Sequence, residues 1–277
     1  MSGALGWGHR FLLCPPDHFA VAYEINPWMS TEVPIDLDRA RAQWEGLRAA
    51  LEQAGAAVEV QAPHPLVPDL VFTANAGIVR GTTFVPARFR HPERRAETPL
   101  DIAWFEAAGY QVRQLTGDVV HEGAGDALPF GGVLVSGHHF RSDAAAHTQL
   151  ATLLEVPVRS IRLSDPRYYH LDLTFCPLDS TRALLWPGAW DADGCTTMQA
   201  LVPEPLVLEA DEAARFVANS VVVGQTVLMP SCPPRVGRRL EAWGFTPVEV
   251  DVGEFLKAGG ACRCLTLALD WGSAPVG

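Results

Sequence analysis

The sequence predicts an α/β protein built from repeated units, each a pair of short strands with a single helix, closing around a central axis. Three observations carry this. Short apolar runs separated by Gly and Pro turns extend along the whole chain. Several of these runs come as adjacent pairs split by a tight turn, as in LVFTANAGIV-RGT-TFVPA and ALPF-GG-VLVS. A single helix-like stretch then stands between one pair and the next. Simple strand–helix alternation would point instead to a doubly wound sheet.

In chain order, strands are expected at Phe11–Cys14, Ala57–Val60, Val71–Val79, Thr83–Pro86, Gln111–Leu115, Val133–Ser136 and Ile161–Leu163. Further strands follow at Leu171–Pro177, Ala183–Trp186, Ser220–Val223, Val227–Met229, Val248–Asp251 and Cys264–Leu269. The strongest helix runs from Asp36 to Ala54: Leu37, Ala40, Trp44, Leu47 and Leu51 recur at helical spacing, and Gly55 supplies the stop. Weaker helices are read at Arg95–Ala108, Ser142–Leu154, Ala210–Val217 and Pro234–Trp243, the last ending at Gly244. No low-complexity linker divides the chain, so residues 1–277 are expected to form one domain.

Composition narrows the function. Hydrophobic residues make up 48% and charged residues 19%, an ordinary globular balance that argues against disorder. The formal net charge of −11, with no Lys/Arg block, argues against a nucleic-acid partner and is compatible with a cationic small substrate. The beginning of the sequence lacks a signal-peptide pattern and no long apolar run marks a membrane span. The six cysteines form no CxxC pair and no dense framework, which fits free thiols in a reducing cytoplasm. Nine histidines, among them His138 and His139, show no HExxH or comparable ligand spacing. The GAGD of Gly123–Asp126 precedes an apolar strand rather than opening a helix. Neither a metal nor a cofactor is implied.

Four strings could carry chemistry. In KAGGACRCLTLALD, two glycines lead into a short strand with Cys264 at its start and Cys262 two positions earlier. Taken alone, both cysteines read as small core residues. In YYHLDLTF, His170 and Asp172 would share one face of a strand. They could form an acid/base pair in which the carboxylate raises the imidazole pKa toward neutrality, or simply be a surface His with a turn Asp. In HEGAGDALPF, Glu122 and Asp126 flank a glycine turn, which is either an ordinary loop or a pair of carboxylates for a guanidinium. PDLVFTANAGIV places Asp69 and Asn75 in an apolar segment, and Asn26 precedes a proline in EINPWM.

Together the strings are far more specific than any one of them. FLLCPPDHF, EINPWM, PDLVFTANAG, RFRHPERR, EGAGDAL, HFRSD, YYHLDLTFCPL and AGGACRCLTL, in that order from Phe11 to Leu269, resemble the guanidino-group-modifying (pentein) superfamily. Within it they are most similar to cyanobacterial-type arginine dihydrolases and dimethylarginine dimethylaminohydrolase-like proteins. The resemblance implies five ββαβ units arranged as an α/β-propeller about a pseudo-fivefold axis. It also implies a cysteine-dependent hydrolase of arginine-type guanidino compounds that works through a covalent S-alkylthiouronium. Cys264 would be the nucleophile and His170 the general acid/base. Glu122 and Asp172 would orient His170 or the guanidinium nitrogens, and Asp126 would also face the guanidinium. Arg94 and Arg141 would meet the substrate carboxylate, and Asn26, Asp69 and Asn75 would complete the substrate site.

One departure bears on the product. Arginine deiminases carry FTRD where this chain has Phe72-Thr73-Ala74-Asn75. An ionised Asp only accepts hydrogen bonds, whereas Asn also donates and should tolerate a neutral ureido group. That favours conversion of arginine to ornithine, CO2 and ammonia. The alternatives are a dimethylargininase or deiminase yielding citrulline, an amidinotransferase, and, in a different class, a non-catalytic propeller that binds a partner. The expected partner is a small guanidino molecule, with neither nucleic acid nor membrane, and homo-oligomerisation is left open.

Overall fold

A computed structural model describes residues 5–272; the first four and last five residues of the single domain expected over 1–277 lie outside the described residues. Its strands pair into five separate three-stranded sheets. Four of them follow one plan, in which an antiparallel hairpin leads into a helix and a third strand returns parallel to the second strand of the hairpin. These are β3 (Gly77–Arg80), β4 (Thr83–Pro86), α2 (Glu97–Ala107) and β5 (Gln111–Val112); β6 (Ala127–Phe130), β7 (Val133–His138), α3 (Ala145–Leu153) and β8 (Val158–Arg162); β9 (Phe175–Pro177), β10 (Arg182–Leu185), α4 (Ala192–Leu201) and β11 (Glu204–Val207); and β12 (Val221–Val223), β13 (Thr226–Met229), α5 (Pro234–Ala242) and β14 (Thr246–Glu249). The fifth sheet joins the two ends of the chain. β1 (Arg10–Leu13) pairs antiparallel with β15 (Leu267–Ala268) and, through α1 (Leu37–Gln53), parallel with β2 (Ala57–Val60). The fold is the five-bladed ββαβ propeller, and pairing of the last strand with the first closes the ring.

Local chemistry explains the elements. Gly131 and Gly132 both have positive φ (55° and 82°), the conformation that a two-residue hairpin between right-twisted strands requires. Asp36 caps α1 by accepting from Arg39 N at 3.0 Å, and Gly55 follows the helix with φ 97°. The buried face of α1 is Ala40, Gln43, Trp44, Leu47 and Leu51, and each fully buried leucine contributes about 1.5–3 kcal/mol. The leading strand of each blade is almost wholly buried while the closing strand is largely exposed. This puts the leading strands at the axis. No helix among the described residues is long and apolar enough to cross a membrane.

Several expected boundaries change. The apolar run Val71–Val79 is not one strand: Pro68–Val71 and Thr73–Asn75 are 3-10 turns and the strand begins only at Gly77. Leu171–Leu173 is likewise a 3-10 turn ahead of β9, and Cys264 lies in a turn before the short β15 rather than at the start of a strand. Short apolar runs have the same composition whether extended or turning, and period alone does not separate them. β11 and α4 were not anticipated. β11 is an outer strand with Pro205 in it, tolerated because that edge needs no ladder donor. In α4 the interior Gly194 and paired threonines hide a helix that Asp191 caps by accepting from Gly194 N at 2.8 Å.

Candidate active site

Several of the chemistry-bearing residues come from one structural position repeated around the ring, while Asn26, Asp69, Arg94 and Arg141 come from other loops and 3-10 turns. A tight turn precedes each leading strand: Thr73–Asn75 before β3, Gly123–Gly125 before β6, Leu171–Leu173 before β9, 214–219 before β12 and 262–265 before β15. Each turn tips its side chains toward the axis, so residues far apart in sequence converge there. Cys264, His170, Asn75, Asp69, Arg94, Arg141 and Asn26 all line one narrow cleft. Glu122, Asp172 and Asp126 are fully buried behind it.

Cys264 is 4% exposed, and its Sγ lies 3.4 Å from Asp172 Oδ2. Burial, reinforced by the neighbouring Asp172 charge, pushes the thiol well above the usual cysteine range. Asp172 is itself lifted to about 7 by burial, against the opposing pull of Arg263 and hydrogen bonds from Cys264 and Asn219. Its Oδ1, like Asp69 Oδ1, is buried without a hydrogen-bond partner among the described residues. Asp69 Oδ2 accepts from the Tyr23 hydroxyl at 3.0 Å.

His170 and Asp172 do not share a face, because a turn and not a strand carries them. The imidazole Nε2 meets Glu122 Oε2 at 3.0 Å, while Asp172 turns to the thiol. The carboxylate that orients the ring is therefore Glu122. Nor does the ring sit near neutrality: burial outweighs Glu122 and lowers His170 to about 4, leaving a neutral imidazole at physiological pH. Glu122 stays ionised in spite of its burial, because Arg141 Nη1 at 2.7 Å and His170 hold it well below the usual carboxylate range. Its other oxygen accepts from Arg90 N at 3.2 Å.

Asp126 departs from expectation. Rather than facing the cleft, its Oδ1 accepts from Leu171 N at 3.0 Å and its Oδ2 from Ser142 Oγ at 2.6 Å. Both oxygens are thus committed to the backbone that follows His170 and to the serine that also accepts from Glu122 N. Burial lifts Asp126 well above the carboxylate range. It braces the His170 turn.

The two arginines are also engaged. Arg94 donates from Nε and Nη2 to both oxygens of Glu97 (2.8 and 2.7 Å), from Nη1 to Asn75 Oδ1 (2.8 Å) and from Nη2 to the Asp69 carbonyl (3.2 Å). Of its five N–H groups only one on Nη1 remains. Arg141 donates to Glu122 and to the Ile25 carbonyl, which leaves it with more hydrogens to offer. Because a guanidinium has only donors, Arg94 fixes the Asn75 amide with its oxygen inward. Asn75 Nδ2 donates to the Glu122 carbonyl at 2.8 Å and keeps one further hydrogen. A Cβ on Gly125 would lie 2.5 Å from that nitrogen and 3.3 Å from His170 Nδ1, so only glycine fits between them. Asn26 spans to the Ala258 carbonyl (3.0 Å) and accepts from Trp28 N (2.9 Å).

Two residues of the site were not anticipated. Arg263, buried beside Cys264, is the positive charge nearest Asp172 in effect and stacks over Trp7 at 5.2 Å. Asn219 donates from Nδ2 to Cys264 Sγ at 3.2 Å. A signal for Asn219 exists in the sequence: Phe216-Val-Ala-Asn219 before β12 repeats Phe72-Thr-Ala-Asn75 before β3. Among the described residues, no group of three or more His, Cys, Asp or Glu side chains is placed to hold a metal.

No family model matches the chain. It is 39% identical over 260 residues to the N(G),N(G)-dimethylarginine dimethylaminohydrolase of Mycobacterium tuberculosis, covering 94% of this chain and 85% of that protein. It is 44% identical over 263 residues to a bifunctional arginine dihydrolase/ornithine cyclodeaminase of Nostoc sp., and there the chain spans only 37% of the relative's length. Among solved structures, the substrate-bound N-terminal domain of an arginine dihydrolase from the cyanobacterial ornithine–ammonia cycle superposes with a TM-score of 0.91 at 40% identity, covering 95% of this chain and 98% of that one.

Proposed function

The chain belongs to the guanidino-group-modifying superfamily of cysteine hydrolases, and from that premise we propose that it is an arginine dihydrolase, converting arginine and two waters to ornithine, CO2 and two ammonia. The observation that carries the choice of substrate is the pair of buried carboxylate oxygens, Asp172 Oδ1 beside the thiol and Asp69 Oδ1 in the cleft, that have no donor among the described residues. A planar cation with N–H groups on both sides supplies what they require.

In this reading the guanidinium binds against Asp172 and Asp69, and its positive charge lowers the thiol pKa. Neutral His170 takes the Cys264 proton. The thiolate adds to the guanidinium carbon, the proton passes from His170 to the departing nitrogen, and ammonia leaves a thiouronium. Water, losing a proton to the same imidazole, adds to that carbon, and the C–S bond breaks to give the ureido product. Arg141, with hydrogens to spare, receives the substrate carboxylate more readily than Arg94, whose role becomes holding Asn75. In a second round the remaining Asn75 Nδ2 hydrogen is the donor for the ureido oxygen. Loss of ammonia and hydrolysis then yield a carbamate, which releases CO2.

Incubation with arginine should produce ornithine, and Asn75→Asp should shift the product toward citrulline by removing that donor. Stoichiometric citrulline from the wild-type protein would sink the dihydrolase reading. The 39% identical relative favours dimethylarginine as a second reading, which a comparison of kcat/KM for the two substrates decides.

The pH profile offers a further test. Substrate binding needs Asp172 ionised, and its pKa is about 7. Activity is therefore expected to be lost as pH falls, with the acid limb of kcat/KM near that value, and Asp172→Asn should abolish the limb along with most of the rate. The stability contribution has the opposite sign. The folded pKa lies above the ordinary 3.8, so this group favours the fold at low pH, and that contribution is lost as pH rises from 3.8 through about 7. A kcat/KM profile flat from pH 6 to 8 would refute the assignment.

A further inference from the structure

We propose that Asn219 is a catalytic residue, whose side-chain N–H stabilises the Cys264 thiolate both as attacking nucleophile and as leaving group. The proposal rests on the hydrolase reading above. Asn219 is fully buried, and both polar atoms of its side chain are hydrogen-bonded, each to Cys264 among its partners. Nδ2 donates to Cys264 Sγ at 3.2 Å and to the Asp172 carbonyl at 3.3 Å. Oδ1 accepts from the Arg263 and Cys264 backbone amides at 3.1 and 3.2 Å. With two N–H donors facing Oδ1, the amide can take only one orientation, the one that puts Nδ2 on the sulfur.

The donor matters because of what else touches that sulfur. Asp172 accepts from the thiol while the proton is present, but once the thiol ionises, a carboxylate beside it is repulsive. Asn219 donates to the sulfur in both states but stabilises the ionised form more, because in a buried setting a hydrogen bond to charge is the stronger one. No atom or electron is transferred through it: the amide donates when sulfur is anionic, loosens when the C–S bond forms and tightens again when that bond breaks.

The approach to Asn219 is also costly to build. Phe216 holds φ 58°, a left-handed conformation rare for an aromatic residue, and Asn219 N donates to its carbonyl at 2.8 Å. The repeat Phe-x-Ala-Asn at 72–75 and 216–219 sets one asparagine at the end of each of these two turns. Asn75 faces the cleft and Asn219 the sulfur.

The test is the rate of Cys264 alkylation by iodoacetamide as a function of pH, followed by the mass of the peptide, in the wild-type protein and in Asn219→Ala, Asn219→Ser and Asn219→Asp. Thermal unfolding and arginine turnover are measured alongside. Loss of the donor should move the alkylation curve of the alanine variant up by about one pH unit or more. Its kcat should fall roughly 10- to 100-fold with KM changed less than about threefold. Asn219→Asp keeps an oxygen for the two amides but has no donor, and should be at least as impaired; Asn219→Ser can donate and should recover part of the rate. An unmoved alkylation curve in folded variants would overturn the proposal, as would an aspartate variant of wild-type rate. If aspartate prevents folding, the alanine and serine variants decide, and serine no better than alanine counts against the donor. A wild-type protein whose alkylation depends on Asn219 but which hydrolyses no guanidine would refute the hydrolase reading and leave the thiolate role standing.

Discussion

Replacement of Cys264 by serine is expected to reduce arginine turnover by about 10^4-fold or more, while the thermal midpoint stays within a few degrees of the wild-type value. The two expectations have separate causes. Serine has nearly the shape of cysteine, and its hydroxyl can donate to Asp172 and accept from Asn219 as the thiol does, so the buried network survives. The chemistry does not. A substrate cation and an asparagine donor can bring a thiol into its ionised form near neutrality, whereas an alcohol stays protonated by many orders of magnitude. Rapid quench of the wild-type protein with arginine should show a peptide containing Cys264 heavier by the thiouronium adduct, and the serine variant should show none. Turnover within tenfold of wild type in the serine variant would remove Cys264 from the mechanism.

Glu122→Ala should damage both stability and activity. Glu122 is fully buried, accepts from Arg141 and His170, and is the acceptor for Arg141 Nη1. Removing it leaves a buried guanidinium without its counter-charge, a loss of about 3–5 kcal/mol. For a chain of this size that lowers the midpoint by on the order of 10 °C. The imidazole also loses the group that orients it, and turnover should fall about 10^2- to 10^4-fold. Glu122→Gln separates the contributions. It retains an acceptor for Arg141 and most of the packing, so it should unfold much closer to wild type yet remain strongly impaired, because the amide cannot stabilise a protonated His170. If the alanine variant melts at the wild-type temperature, the Glu122–Arg141 pair does not support the fold in the way its burial implies.

The sequence by itself determined the parts of this protein that depend on neighbours along the chain. The hairpin glycines at 131–132, the Asp36 cap and buried stripe of α1, and the strand pairs with intervening helices all follow from local turn chemistry and periodicity. The strings bearing Cys264, His170, Glu122 and Asn75 were ambiguous one by one and became specific through their joint order along the chain, which resembles a known superfamily. Tertiary structure decided which of these residues meet. His170 and Asp172, two positions apart, part company because a 3-10 turn rotates one to Glu122, 48 residues away, and the other to Cys264, 92 residues away. Asp126 turns inward, Arg94 binds Asn75, and Asn219 reaches the sulfur only because the ring brings five turns to one axis. Closure through β15 and β1 joins residues more than 250 positions apart, which no local pattern specifies. Ionisation belongs to the same category. His170 is neutral, Glu122 charged and Asp172 poised near 7 because of how deeply each is buried and which charges surround it. Those are properties of the assembled ring, and no stretch of sequence carries them alone.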